Sequence, residues 1–155
     1  MGWASSVYRA ATPIIRQTVS VTNDPETRYT GAADGTNIAY QVSGDGRVEL
    51  AVFHSPYPID LMSEDPYFVC LPKRLDAFSR TVWYDPRGFG ASEGGPKDAL
   101  ANDVLEADLI AVLDDAGFDR PALLAVGETG GRAIHFSVTF PARARALVLV
   151  NSYAC

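Results

Sequence analysis

The chain has little cysteine, little histidine, a deficit of basic charge and no long apolar run, and each shortage removes a class of function. Two cysteines, Cys70 and Cys155, in 155 residues cannot form a disulfide framework, which points to a reducing, cytoplasmic setting. Thirteen Lys and Arg stand against nineteen Asp and Glu, a net charge of -6. Neither nucleic acid nor a membrane surface is therefore expected as the main partner, because both recruit basic surfaces. No segment is apolar over the length that spans a bilayer. The N-terminus carries Arg9 and Arg16 but no continuous apolar stretch, so it does not read as a secretory signal. Met1-Gly2-Trp3-Ala4-Ser5-Ser6 fits the loose myristoylation pattern and reads as a chance match in a tail. No metal or cofactor is expected.

What remains is an ordinary globular composition, 47% hydrophobic and 21% charged, in a chain long enough to bury a core. Residues 1–27 lack sustained periodicity and contain the turn Thr22-Asn23-Asp24-Pro25, so they read as an extension ahead of a domain over 28–155. Within that domain strands and helices alternate. Residues 38–42 predict a strand, and the turn Ser43-Gly44-Asp45-Gly46 suggests a hairpin with a second strand over 49–53. A short helix over 71–78 and a strand over 81–84 follow. Leu105, Leu109, Val112, Leu113 and Ala116 recur at helical spacing over 102–116, with acidic residues such as Asp103, Glu106 and Asp114 mostly off that stripe. Gly117 would end this helix in the left-handed conformation. Residues 123–126 form an apolar run suited to a strand covered on both faces. A helix over 132–139, stopped by Pro141, and a buried strand over 146–150 complete the pattern. The sum is an α/β fold: a mostly parallel sheet with helices on both faces.

Ligands of open parallel sheets bind at the carboxyl ends of the strands, which directs attention to three loops. They are His54-Ser55-Pro56-Tyr57-Pro58, Asp85-Pro86-Arg87-Gly88-Phe89-Gly90-Ala91-Ser92, and the glycine-rich turn from Gly127 to Gly131. The last lacks the Gly-x-Gly-x-x-Gly spacing and is not the first β-α unit, which argues against a dinucleotide. The signature Asp85-x-Arg87-Gly88-x-Gly90-x-Ser92 after a central strand resembles the α/β-hydrolase superfamily. The resemblance runs from Arg28 to Cys155 in the family's order. Ile38-Ala39-Tyr40-Gln41, Glu64-Asp65-Pro66 and Ala146-Leu147-Val148-Leu149-Val150-Asn151 are most similar to a bacterial branch in which the hydrolase domain is sometimes fused to a nucleotide cyclase or a regulatory domain.

In that family the nucleophile sits on an elbow, Gly-x-Ser-x-Gly, between strand and helix. No serine stands here. The ungapped register puts Gly127 at the nucleophile position, with Ala125 and Thr129 as the flanking small residues, and leaves no nucleophile. The other register reads Gly127-Glu128-Thr129-Gly130-Gly131 as Gly-x-Thr-x-Gly, with Thr129 as nucleophile, at the cost of an insertion and a compensating deletion. The resemblance further implies an oxyanion hole from the Glu128 backbone N–H and the loop of His54, Ser55 and Tyr57, since Pro56 has no N–H to give. It places Asp85, Arg87, Gly88, Gly90 and Ser92 in a structural turn. It draws the acid and the base from later strands, so His54 and His135 fill neither role, and His135 reads as a packed or half-exposed helix residue. Cys70 is expected to be buried.

These readings converge on the N-terminal portion of an α/β-hydrolase fold, truncated before the cap, with a degenerate elbow. A pseudo-hydrolase is expected. An ester or amide hydrolase needing a complementing C-terminal half, and a small-molecule binding or sensory module for an apolar or acyl ligand, are the alternatives. The edge of strand 146–150 would pair with a second copy or with that half.

Overall fold

The computed structural model describes residues 24–54, 57–94 and 101–153. Six strands form one sheet: β1 (Arg28–Gly31), β2 (Asn37–Ser43), β3 (Val48–Phe53), β4 (Ser79–Tyr84), β5 (Ala122–Val126) and β6 (Ala146–Val150). Their spatial order is β1-β2-β4-β3-β5-β6. The β1–β2 and β2–β4 pairs are antiparallel, and β4, β3, β5 and β6 run parallel. Three helices follow their strands: α1 (Cys70–Asp76), α2 (Asn102–Asp115) and α3 (Gly130–Thr139).

Alternation along the strands divides the core into two layers, because successive side chains point to opposite faces. Ile38 and Tyr40 of β2, Ala51 and Phe53 of β3, Val82 and Tyr84 of β4, and Leu123 and Ala125 of β5 face α2 and α3, where Leu109, Val112, Leu113, Ala133 and Phe136 meet them. Ala39, Leu50, Val52, Trp83 and Leu124 face the other way, toward Leu75 of α1 and toward Ile59 and Met62. Helices thus cover both faces, as the apolar run of β5 requires.

The sequence pattern fails at the β2–β3 connection. The expected hairpin does not form, since β4 lies between the two strands. The turn Ser43–Gly46 reverses the chain without pairing the two strands, passing tightly beneath the start of β4. A Cβ on Gly44 would lie 2.1 Å from the Ser79 carbonyl oxygen, and one on Gly46 would lie 2.1 Å from the Phe78 carbonyl carbon. These glycines serve a close backbone crossing rather than a hairpin reversal. The hairpin of this sheet is β1–β2, closed by a turn through Asp34 and Gly35, with Gly35 at φ +86°.

Three burial expectations also change, the third at the edge strand β6. Cys70 is exposed, at the first turn of α1. On α2, Glu106 and Asp108 are buried among the apolar stripe, because each has a cationic or hydrogen-bonding partner waiting: His135 for Glu106 and Arg87 for Asp108. A buried carboxylate is tolerated only with such partners. His135 itself is half-exposed, its side chain 49% accessible.

Among the described residues β6, at the far edge of the sheet, pairs with β5 alone. The expected burial of the strand over 146–150 is not found: with no neighbour beyond β6 among the described residues, Val148, Leu149 and Val150 are 45%, 43% and 43% exposed. Among the described residues no helix is long and apolar enough to cross a membrane.

Candidate functional site

The carboxyl ends of β3, β4 and β5 bring the three loops of interest to one end of the sheet. After Val126 the chain turns through one 3-10 turn, Gly127–Thr129, directly into α3. Gly127 holds φ +64°, the left-handed region that a side chain enters at a cost of roughly 1–2 kcal/mol. A Cβ built there meets no atom within 4 Å. The sharp strand-to-helix bend is thus present, and the space above it is open.

Thr129 lies two residues on and is 5% exposed. Its hydroxyl lies 2.7 Å from the Phe53 carbonyl, to which its single proton is donated, and 2.9 Å from the Val126 carbonyl, and it accepts from the Val126 N–H at 3.1 Å. The hydroxyl therefore staples the end of β3 to the end of β5. Glu128 is exposed at the first turn. Gly130 packs against the segment after β6, where its Cβ would come within 2.4 Å of the Ser152 Cβ. The Ser152 hydroxyl lies 3.3 Å from the Ala125 carbonyl, and Asn151 beside it adopts φ 50°. Sequence reasoning gave these two residues no role; the signal available was Asn151, a residue type that tolerates left-handed backbone.

The Asp85–Ser92 turn is built around buried polar groups. Asp85 is 2% exposed. Its carboxylate accepts the backbone N–H of Ala91 at 2.9 Å and that of Ile59 at 3.2 Å. Burial raises its pKa, opposed by the Ala91 N–H, then by the charge of the nearby His54 ring and by the Ile59 N–H. Gly90, at φ +51°, leaves the room for this carboxylate: a Cβ there would sit 2.0 Å from Asp85 Oδ2. Ser92 donates its hydroxyl to the Asp85 carbonyl (2.6 Å) and accepts the Ala39 N–H (2.7 Å), which ties the turn to β2. Gly88, at φ +76°, donates its N–H to the Glu93 carbonyl.

Arg87 reaches away from the strand ends. Its guanidinium makes a two-pronged contact with Asp108 of α2, at 2.7 and 2.6 Å, and a further bond of 2.7 Å to Asp34 in the β1–β2 turn. These two carboxylates hold the Arg87 pKa above its ordinary value. The hydrogen bond from Arg87 in turn holds Asp34 well below the usual carboxylate range. The sequence marked Arg87 but neither partner, because both lie at long sequence separation.

In the first loop, the His54 ring lies with Nε2 3.1 Å from the Tyr84 carbonyl and its plane tilted over Trp83. Tyr57 stacks on Phe68 at 4.4 Å between ring centres and donates its hydroxyl to Asp65. Ser55, between them, lies outside the described residues, as does Cys155. His135 is not part of this group; its Nδ1 meets Glu106 on the α2 side. Arg132, one turn earlier on α3, donates to the buried Tyr84 hydroxyl at 3.2 Å. The structure thus gathers Gly127, Glu128 and Thr129 with the ends of β3 and β4, and places Arg87 and His135 elsewhere. Among the described residues no cluster of three or more His, Cys, Asp or Glu side chains is arranged to hold a metal ion.

Solved structures share this architecture. A hydrolase from Pseudomonas aeruginosa PA01 superposes with a TM-score of 0.71 at 24% identity over 84% of the chain. An alpha/beta hydrolase from Sphaerobacter thermophilus does so with 0.64 at 22% identity over 79%. The chain has an α/β-hydrolase fold. An epoxide hydrolase from Vigna radiata matches the same fold with a TM-score of 0.65 at 23% identity over 81% of the chain. The chain spans 47%, 44% and 38% of these three proteins, respectively, so it corresponds to less than half of each. No family model and no curated protein sequence matches it.

Proposed function

We propose that this chain is an α/β-hydrolase-fold module whose elbow is retained as architecture and carries no nucleophile, so that it binds or assembles rather than hydrolyses. The observation that carries this reading is Gly127, in the left-handed conformation at the strand-to-helix bend with open space where a side chain would stand. In the register without gaps this is the nucleophile position. The rival reading, Thr129 as nucleophile, asks the hydroxyl to abandon its buried donation to a backbone carbonyl and the N–H it accepts from Val126. Among the described residues neither histidine is placed as its base: His135 faces Glu106, and the His54 ring faces the Tyr84 carbonyl. A hydroxyl needs an adjacent base to become a nucleophile.

A fluorophosphonate probe, which labels activated hydroxyl nucleophiles, tests the proposal on the purified chain. No labelling is expected, before or after Thr129→Ala. Labelling of the wild-type chain that vanishes in Thr129→Ala would overturn it.

A small-molecule binding module is the second reading, and a different observation favours it. A cavity of about 460 Å³ lies on the α1 face, lined by Gln41, Ile59, Met62, Lys73, Asp76 and Trp83 among others. The Trp83 indole N–H is the buried side-chain donor without a hydrogen-bond partner among the described residues. Donors of this kind usually have partners, so an apolar ligand carrying a carbonyl or carboxylate acceptor would suit the cavity. Saturable quenching of Trp83 fluorescence by an aromatic carboxylic acid, abolished in Met62→Trp, is the expected result; an unquenched titration across a panel of acyl and aromatic ligands would count against it.

A further inference from the structure

The end of the sheet opposite the elbow carries a concentration of positive charge that the hydrolase-like reading does not use. The strands β4, β3, β5 and β6 are neighbours and parallel, so all four start at this end. Each start brings one arginine: Arg80 in β4, Arg47 just before β3, Arg120 two residues before β5, and Arg145 just before β6. Together with Glu49 and Ala122 these four line one cleft of about 460 Å³.

The arginines are partly fixed by the backbone around them. Arg80 donates to the carbonyls of Ala116 and Gly117, lies over the Phe118 ring at 4.1 Å, and pairs with Glu49 at 3.3 Å. Arg120 donates from Nε to the Ala144 carbonyl, and the Arg145 N–H donates to the Pro121 carbonyl. These two bonds tie the segments before β5 and β6 to each other. Gly46, pressed against the Phe78 backbone, fixes the segment before Arg47.

Glu49 compensates Arg80. Arg47, Arg120 and Arg145 have no carboxylate partner among the described residues. Asp45 and Asp119 flank the cleft in sequence but do not line it. Three uncompensated guanidinium groups repel one another, and they do so in a chain whose net charge is -6. Strand starts about 4.8 Å apart spread the four arginines over about 14 Å, wider than one phosphate. Guanidinium forks match phosphate oxygens in pairs, and the cleft has the volume of an ordinary small-ligand site.

We propose that this arginine cleft at the amino ends of β4, β3, β5 and β6 binds a small oligophosphate, either inorganic or as the phosphate tail of a nucleotide. Its occupant supplies the negative charge that the cleft lacks and bridges strands that the sheet already aligns.

Calorimetric titration of the purified chain with sodium tripolyphosphate, adenosine triphosphate and orthophosphate at matched ionic strength tests this. Tripolyphosphate is expected to bind one to one, with affinity falling roughly tenfold or more in Arg120→Gln and in Arg145→Gln, the loss of a charge-assisted pair. Arg74→Gln, on the exposed side of α1, is the control and should bind as the wild type does. Circular dichroism confirms that each variant is folded; Arg120 and Arg145 are both exposed. Equal affinity for the nucleotide means that the phosphate chain alone is recognised, and tighter binding means that the nucleoside adds contacts; either supports the proposal. Absence of saturable binding, orthophosphate binding as tightly as tripolyphosphate, or affinities unmoved by both arginine variants would overturn it.

Discussion

Two glycines with the same unusual backbone have different reasons to be glycine, and the difference can be measured. Gly90 and Gly127 both hold positive φ, at +51° and +64°. A methyl group on Gly90 would collide with the Asp85 carboxylate, whereas one on Gly127 meets nothing. Gly127→Ala should therefore cost only backbone strain, roughly 1 kcal/mol. Gly90→Ala should cost roughly 3 kcal/mol, since strain is joined by displacement of a buried carboxylate from its N–H donors. Urea midpoints for the two variants decide this; equal losses would mean that the Asp85 turn relaxes freely. Thr129 supplies a third case. Thr129→Val keeps the shape and removes the hydroxyl that bridges β3 and β5, so a loss of about 1–3 kcal/mol is expected. A neutral result would show that the hydroxyl does not hold the strand ends together. Glycine and threonine were visible in the sequence as letters of a motif, but which of them carries the bend and which the staple depends on φ values and on Phe53, far away in the chain.

The ties between elements were the least legible part of the sequence. Five of the six strands are legible in the sequence, β5 and β6 as apolar runs and β2, β3 and β4 as segments of strand-forming residues, although β6, read as buried, is largely exposed. The strand Arg28–Gly31 carries no such signal, being short, exposed and at the edge. The expected β2–β3 hairpin was wrong because glycine permits both a reversal and a close crossing, and local sequence does not distinguish them. Arg87 was marked, while Asp34 and Asp108, which bind the β1–β2 turn and α2 to the turn after β4, were not. This tie has a pH signature. Asp34 has a folded-state pKa depressed by Arg87, so its contribution is complete above the unfolded value, near 4, and is lost as pH falls through the window below it. Between about pH 5 and about pH 3 the wild-type urea midpoint should fall further than that of Asp34→Asn. Parallel curves would remove Asp34 from the acid sensitivity of the fold. Asp85 works in the opposite sense. Burial raises its folded-state pKa, so its protonation relieves a cost as pH falls and offsets part of the loss.

At the scale of the whole molecule, the fold was legible from the order of its elements, while the site's chemistry was not, because the turn from Gly127 to Gly131 contains no serine. Among the described residues the sheet also ends on a strand whose outer edge is unpaired and three of whose apolar residues, Val148, Leu149 and Val150, are over 40% exposed. Such an edge templates further pairing, and we propose that it meets either a second copy or a complementing segment. Sedimentation of the purified chain over a wide concentration range should show reversible self-association that Leu149→Lys reduces. Monomer at every concentration would leave pairing to a different chain.

The crossing of the β2–β3 connection under β4 also constrains the order of assembly. During synthesis β3 leaves the ribosome before either of its neighbours exists, since β4 and β5 both follow it. The strand Val48–Phe53, four of whose residues are destined for full burial, must wait through the making of α1 for its first partner. The β1–β2 hairpin can close at once; the centre of the sheet cannot. A ribosome pausing between Phe53 and Tyr84 would hold an apolar strand without a mate, the condition in which nascent chains aggregate or recruit chaperones.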